Sequence, residues 1–61
     1  MTNKKRYVAE YATDRINSVK ENFFIVSYVK IKIIDIIKDT LDKYNKGLIT
    51  TDEAMIKIAN A

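Results

Sequence analysis

Residues 23–37 read FFIVSYVKIKIIDII and hold most of the large aliphatic and aromatic side chains of this 61-residue chain. Only Ser27, Lys30, Lys32 and Asp35 interrupt the run. Removal of apolar surface from water is the main force that drives folding. We therefore expect any folded form of the chain to bury this stretch, and we expect its conformation to decide the architecture.

Helix is the conformation that the sequence favours on both sides of this stretch. There is no Pro, and the only Gly is Gly47, so the two strongest helix breakers are missing from everything that precedes it. Apolar residues recur at spacings of three and four, which predicts helices over about residues 4–20, 23–46 and 51–60. The predicted fold class is all-α, a single small helical domain over residues 1–61 with a long central helix, arranged as a helical hairpin or three-helix domain.

The predicted ends of the helices rest on capping residues. Thr2 or Asn3 can cap the first helix. Gly47 suits the left-handed position that follows the last turn of the second helix. Thr50 with Glu53 three residues later forms a capping box, which predicts the start of the third helix.

Two alternatives to this arrangement stay open. Asn22 can cap the second helix, but no Gly or Pro enforces a break there, so the first two helices can also form one continuous rod. Residues 23–33 are rich in β-branched and aromatic side chains, and lysines alternate with apolar residues, which favours a strand. No turn signal and no evident partner strand accompany that second alternative.

The two halves of the predicted central helix differ. Further along the helix the apolar residues fall on one side and the charged residues on the other. The apolar set there is Ile33, Ile36, Ile37, Leu41 and Tyr44. Near its start, Phe24, Tyr28 and Ile31 occupy the sector that turns acidic later, so this half is apolar nearly all round.

A half-helix that is apolar all round needs cover on two sides. The first helix presents one apolar stripe, made of Tyr7, Val8, Tyr11, Ala12, Ile16 and Val19. This stripe and a short third helix can hardly supply both sides, so the pattern predicts a second protein surface and a homodimer. The predicted interface residues are Phe23, Phe24, Val26, Tyr28 and Ile31.

The sequence offers few side chains suited to catalysis or metal binding. The sequence has no Cys and no His, so disulfides, thiolate metal sites and histidine bases are excluded. Asp35, Asp39 and Asp42 lie on the polar helix face beside lysines, which is typical of solvated ion pairs. We expect a protein that is not an enzyme and that uses no cofactor.

Charge and hydropathy suggest where in the cell the protein lies. The net charge is +3, with 11 basic and 8 acidic residues, and the N-terminus carries no apolar signal-peptide region. Residues 23–37 are fewer than the ~20 that a membrane helix needs. We expect a bacterial cytoplasmic protein with no membrane partner. The bias toward Ile, Lys, Asn and Tyr is typical of AT-rich genomes and suggests a low-GC bacterium or one of its phages. We expect a phage- or mobile-element-encoded protein.

One segment resembles a known metal-binding loop. Residues 42–53, DKYNKGLITTDE, resemble the twelve-residue calcium loop of the EF-hand family. The matching positions are Asp42, Gly47, Ile49 and Glu53. The family pattern has oxygen ligands at its third and fifth positions, where this chain has Tyr44 and Lys46. The resemblance implies a degenerate calcium-binding loop as a remote alternative. The turn Gly47-Leu48-Ile49-Thr50, followed by acidic residues, also resembles the helical hairpin of SHOCT-type bacterial modules, which implies only the hairpin.

The function that this pattern favours is binding of a protein. We expect a small non-enzymatic regulatory module whose partners are a second copy of itself and an unidentified larger protein. The alternative is a nucleic-acid-associated accessory protein that uses basic residues at two places in the chain. Those candidate contacts are Lys4, Lys5, Arg6, Lys30 and Lys32. Lys30 points into the apolar sector, so its stem either follows the surface to water or its charge meets a partner.

Overall fold

Three α-helices joined by short connections make up the described part of the chain. The computed structural model describes residues 4–61. The helices are α1 (Lys4–Glu21), α2 (Ser27–Asn45) and α3 (Thr51–Asn60), and no strand occurs between residues 4 and 61. The all-α prediction is confirmed for these residues, and the strand alternative for residues 23–33 is wrong. The predicted caps Thr2 and Asn3 lie outside the described residues.

The second helix begins later than predicted, because residues 22–26 form a turn between α1 and α2, here called the α1–α2 turn. The Asn22 Oδ1 atom accepts a hydrogen bond from the Phe24 N–H at 2.8 Å, as in an Asx turn. Val26 is the N-cap of α2, with extended backbone and no side-chain capping bond. The prediction of Asn22 as N-cap is therefore wrong, and α1 and α2 are separate helices.

The end of α2 is a Schellman motif built on glycine. Gly47 has a φ of 78°, the left-handed conformation that the sequence predicted for it. The Leu48 N–H donates to the Lys43 carbonyl at 2.9 Å, and the Gly47 N–H donates to the Tyr44 carbonyl at 3.0 Å. These two bonds satisfy carbonyls that have no partner inside the helix, so α2 stops here and the chain reverses.

The start of α3 is fixed by the predicted threonine cap. The Glu53 N–H donates to Thr50 Oγ1 at 3.1 Å. One residue later, Thr51 Oγ1 and the Tyr44 hydroxyl share a hydrogen bond of 3.1 Å, which ties α3 to the last turn of α2. These local bonds set where α3 begins and which part of α2 it packs on.

The core lies where all three helices meet. It consists of Val8, Ala12, Ile37, Tyr44, Ala54 and Ile58. With 10 residues α3 is about 15 Å long, whereas α2 with 19 residues is about 28 Å long. Because α3 starts beside the last turn of α2, it covers only about half of the α1–α2 hairpin. The other half is a two-helix hairpin with no third helix on it.

The expectation that residues 23–37 are buried is wrong for this single chain. Ile37 is the only member of the stretch that is buried, and Ile36, expected in the core, is 50% exposed. Tyr7, expected in the α1 stripe, is 56% exposed. For the start of α2 the reason is that α1 packs along one face only and α3 ends too early to add a second cover. Tyr7 and Ile36 lie next to the fully buried Val8 and Ile37, and they are exposed because they face away from the core.

Replacing Gly47 by alanine should lower the free energy of unfolding by about 1 kcal/mol. A Cβ at this position meets nothing within 4 Å, so the left-handed backbone is the only source of the loss. Gly47→Asn should cost less, because asparagine tolerates this conformation better. Urea denaturation measures both losses, and equal losses for the two variants would contradict this account.

Ile36 and Ile37 offer a matched pair for the assignment of the core. Ile37→Ala removes a fully buried side chain and should cost about 2–5 kcal/mol, enough to unfold much of so small a chain. Ile36→Ala should cost less than about 1 kcal/mol, because half of that side chain already contacts water. Thermal unfolding followed by circular dichroism measures the stability of both variants. Similar losses of stability would show that the core is assigned wrongly.

Candidate interaction surface

The most exposed aromatic side chains lie where α1 passes into α2. Phe23 and Phe24, both in the α1–α2 turn, are each 96% exposed. Tyr28 and Ile31 in the first turns of α2 are 66% and 60% exposed, and Val26 is 55% exposed. These five residues, here called the apolar tip, are the ones predicted for a partner interface. The structure places them at one end of the hairpin and leaves all five open to solvent.

Helix geometry explains why the chain does not cover the apolar tip itself. At 100° per residue, Tyr28 and Ile31 lie on the opposite side of α2 from Ile37 and Tyr44, which face the core. Since α1 and α3 both pack on that core side, neither can reach the other face. Tyr28 and Ile31 are therefore exposed by their phase on α2, while Phe23, Phe24 and Val26 are exposed because they lie in the turn, beyond the reach of α3.

Lys30 closes the hairpin beside the apolar tip. Its Nζ donates a hydrogen bond of 2.9 Å to the Lys20 carbonyl oxygen in the last turn of α1. That carbonyl has no partner within its own helix, and the negative end of the helix dipole favours a cation there. The half-buried lysine thus follows the surface to a polar partner in its own chain, which links the start of α2 to the end of α1.

Lys32 covers part of one aromatic ring of the apolar tip. Its Nζ lies 5.9 Å from the centroid of the Tyr28 ring, within the range of a cation–π contact. The contact leaves Tyr28 two-thirds exposed. Neither phenylalanine has such a contact among the interactions of the described residues, so the phenylalanines are the least covered part of the surface.

The basic residues predicted for nucleic-acid contact fall into two separate groups. Lys4, Lys5 and Arg6 are exposed in the first turn of α1, where Arg6 Nε bonds Glu10 Oε1 at 3.0 Å. Arg6 lies about 21 Å along α1 from Lys20. Lys30 is bonded to Lys20, so it lies with Lys32 at the other end of the helix. The structure does not bring the five lysine and arginine residues into one stripe.

The charged face of α2 carries two ion pairs near its end. Lys43 Nζ bonds Asp39 at 3.1 Å, and Lys46 Nζ bonds Asp42 at 2.9 Å. The hydrogen bond to the Asp42 carboxylate and its negative charge raise the pKa of Lys46 above its ordinary value. These pairs are exposed, so they contribute little to stability and mainly keep this face polar.

The segment that resembles a calcium loop has a different geometry in the structure. Asp42, at its first position, is paired with the ammonium group of Lys46, and Tyr44, at its third, is buried and bonded to Thr51. Residues 42–45 belong to α2. Among residues 4–61 no group of three or more His, Cys, Asp or Glu side chains is placed to hold a metal ion.

The pocket found on the surface of residues 4–61 is open to solvent. A shallow groove of about 320 Å³ follows the outer face of α1 and is lined by this helix alone, at Arg6, Ala9, Glu10, Thr13 and Asp14. A site lined from one side cannot surround a small molecule as binding pockets do. None of the three helices combines the length and the apolar character that a membrane span requires.

Comparison of the chain with known protein families, with curated proteins and with solved structures found no match.

Excess calcium should leave the melting temperature of the protein unchanged. A ligand that binds only the folded state raises the melting temperature by mass action, and here the candidate ligands are paired or buried. Thermal unfolding with calcium and with a chelator measures the difference. Magnesium serves as the control for general ionic effects, and a shift with calcium alone would restore the calcium-loop alternative.

Proposed function

We propose that this chain is a non-enzymatic protein-binding and regulatory module, and that it acts as a homodimer whose contact surface is the apolar tip. The observation that carries this proposal is the near-complete exposure of the adjacent Phe23 and Phe24 side chains, each at 96%. Single exposed apolar residues are ordinary on protein surfaces, but a contiguous apolar patch marks an interaction site. Two neighbouring phenylalanines flanked by Val26, Tyr28 and Ile31 make such a patch.

The area of the apolar tip fits a protein partner. An aromatic side chain buries about 150–250 Å², so Phe23, Phe24 and Tyr28 at their observed exposures offer on the order of 500 Å². Val26 and Ile31 add to this. A stable protein interface covers about 800 Å² on each partner, so the apolar tip supplies more than half of that area.

A second copy of the chain is the first partner that this surface suits. A small chain without Cys for disulfides and without Cys or His for a structural zinc site usually gains stability from association. In a symmetric dimer the same patch serves both subunits, so an apolar surface is complementary to itself. Each phenylalanine that moves from water into such a contact contributes about 1.5–3 kcal/mol.

A larger protein is the second partner in this proposal. The dimer carries two copies of the charged face of α2, which holds Asp35, Asp39, Asp42, Lys43 and Lys46. Mixed charges arranged in this way suit recognition that depends on charge complementarity. The mechanism is steric, since the module acts by occupying a surface of its target. The proposed setting is the cytoplasm of a bacterium, with a phage or mobile-element origin; both rest on composition.

Phe23→Asp should convert the protein to a folded monomer. The change places a charge in the centre of the proposed contact but touches no buried residue, so circular dichroism should still report helix. Light scattering at micromolar concentration should give the 7.1 kDa mass of one chain for the variant and twice that mass for the wild type.

Leu48→Asp is the matched control for this substitution. Leu48 is also apolar and 69% exposed, but it lies in the connection at the other end of α2. The control should remain dimeric. A folded wild-type protein of 7.1 kDa would refute the homodimer, and dissociation by both substitutions would show that the contact is not at the apolar tip.

A further inference from the structure

From Ala12 in α1 to Tyr44 in α2, a set of core-facing residues shares one spacing that continues through the α1–α2 turn. Beginning at Ala12, steps of four and three residues alternate along the chain. These steps lead through inward-facing residues of both helices. The series is Ala12, Ile16, Val19, Phe23, Val26, Lys30, Ile33, Ile37, Thr40 and Tyr44. Every member within a helix is buried or half-buried, and the two exposed members, Phe23 and Val26, are those in the turn.

A hairpin does not require the spacing to continue through the turn, because the turn allows the inward-facing positions of the two helices to be unrelated. An uninterrupted spacing of four and three is the seam of a coiled coil, in which one continuous helix keeps the same face toward its partner. In such a helix Phe23 and Val26 would lie in the seam beside Val19 and Lys30. The residues most exposed in the single chain would then have a place in a core.

Nothing in the composition of the turn requires the chain to reverse there. Residues 22–26 contain neither Gly nor Pro, and no residue other than Gly47 has a positive φ in the described part of the chain. Val26 has a φ of −68°, which is already helical, so only its ψ of 152° would have to change. α2 also lacks a side-chain cap at its start, and in a continuous helix its first N–H groups would bond the carbonyls of residues 23–26.

We infer that the proposed homodimer forms by exchange of α1, with the α1–α2 turn straightened so that residues 4–45 make one helix. Two such helices lie antiparallel, and α1 of each copy packs on α2 and α3 of the other. All contacts of the hairpin core are then remade between subunits, and domain exchange of this kind is a low-cost route to a dimer. The inference rests on the proposed function, whose partner and contact it specifies.

The exchanged arrangement divides the apolar tip into two parts. Phe23 and Val26 enter the seam between the two copies. Phe24, Tyr28 and Ile31, at spacings of four and three, lie on the outer side of the same helix and remain exposed. The exchange therefore narrows the homodimer contact within the apolar tip to the first pair. The second set then adds an apolar part to the surface that the larger protein partner meets. The hydrogen bond from Lys30 to the Lys20 carbonyl is given up, because that carbonyl accepts from within the continuous helix.

Isotope-filtered nuclear Overhauser spectroscopy on an equal mixture of labelled and unlabelled wild-type chains tests the exchange. We expect intermolecular contacts between methyl groups of the core, namely Val8 or Ala12 of one copy and Ile37 of the other. A dimer whose intermolecular contacts are confined to the apolar tip would overturn the exchange and leave the homodimer standing. A monomer in this sample would overturn both.

Val26→Pro and Val26→Ala separate the two dimer geometries by a second route. Proline suits the observed φ of Val26 in the turn but breaks a continuous helix, whereas alanine removes similar side-chain contacts and favours helix. We expect a folded monomer for Val26→Pro and a dimer for Val26→Ala, judged by light scattering and circular dichroism. Equal masses for the two variants would overturn the exchange.

A third pair of variants tests the division of the apolar tip. Phe23→Asp should dissociate the dimer, while Phe24→Asp should leave its mass unchanged, although both residues are 96% exposed in the single chain. Dissociation by Phe24→Asp as well would overturn the assignment of the seam, since a contact between two intact hairpins would depend on both phenylalanines.

Discussion

The difference in length between α3 and the hairpin of α1 and α2 constrains everything else in this structure. α3 is anchored by the Gly47 reversal and the Thr50 cap, so it begins beside the last turn of α2 and runs for only 10 residues. The core forms where α3 can reach. Beyond it, two helices must stabilise each other along a single shared face, and the apolar residues on their other faces stay in water.

This constraint links the packing of the chain to its proposed function. An apolar surface that the fold cannot cover is costly unless something else covers it, and in the described residues it coincides with the densest apolar run of the sequence. The bond from Lys30 to the end of α1 holds the hairpin closed without shielding either phenylalanine. The surface that a partner would occupy is therefore a direct result of the lengths of the three helices.

The sequence predicts the all-α class and the local signals of this fold well, because these depend on short-range chemistry. Gly47 has the backbone conformation that only glycine adopts without strain, and Thr50 caps α3 through its own hydroxyl. The prediction of Tyr28 and Ile31 on the face opposite the core also follows from helical spacing alone. The start of α2 could not be predicted, because Asn22 can cap a helix or form an Asx turn with equal local chemistry.

The burial of residues 23–37 was predicted wrongly for a reason that is not local. Hydrophobicity indicates which side chains avoid water, but the number of helices available to cover them depends on lengths and phases elsewhere in the chain. Ile36 and Ile37 show the difference, since the two are identical neighbours and only one is buried. The residues of the apolar tip likewise do not identify the partner, because any apolar surface could cover them.

A dilution series of the wild-type protein, followed by amide chemical shifts, tests whether the apolar tip is a contact surface. Between micromolar and millimolar concentration, the amides of residues 20–33 should shift or broaden, while those of the Gly47 connection should stay constant. Unchanged shifts across residues 20–33 throughout the series, or changes confined to the three-helix end, would contradict the account.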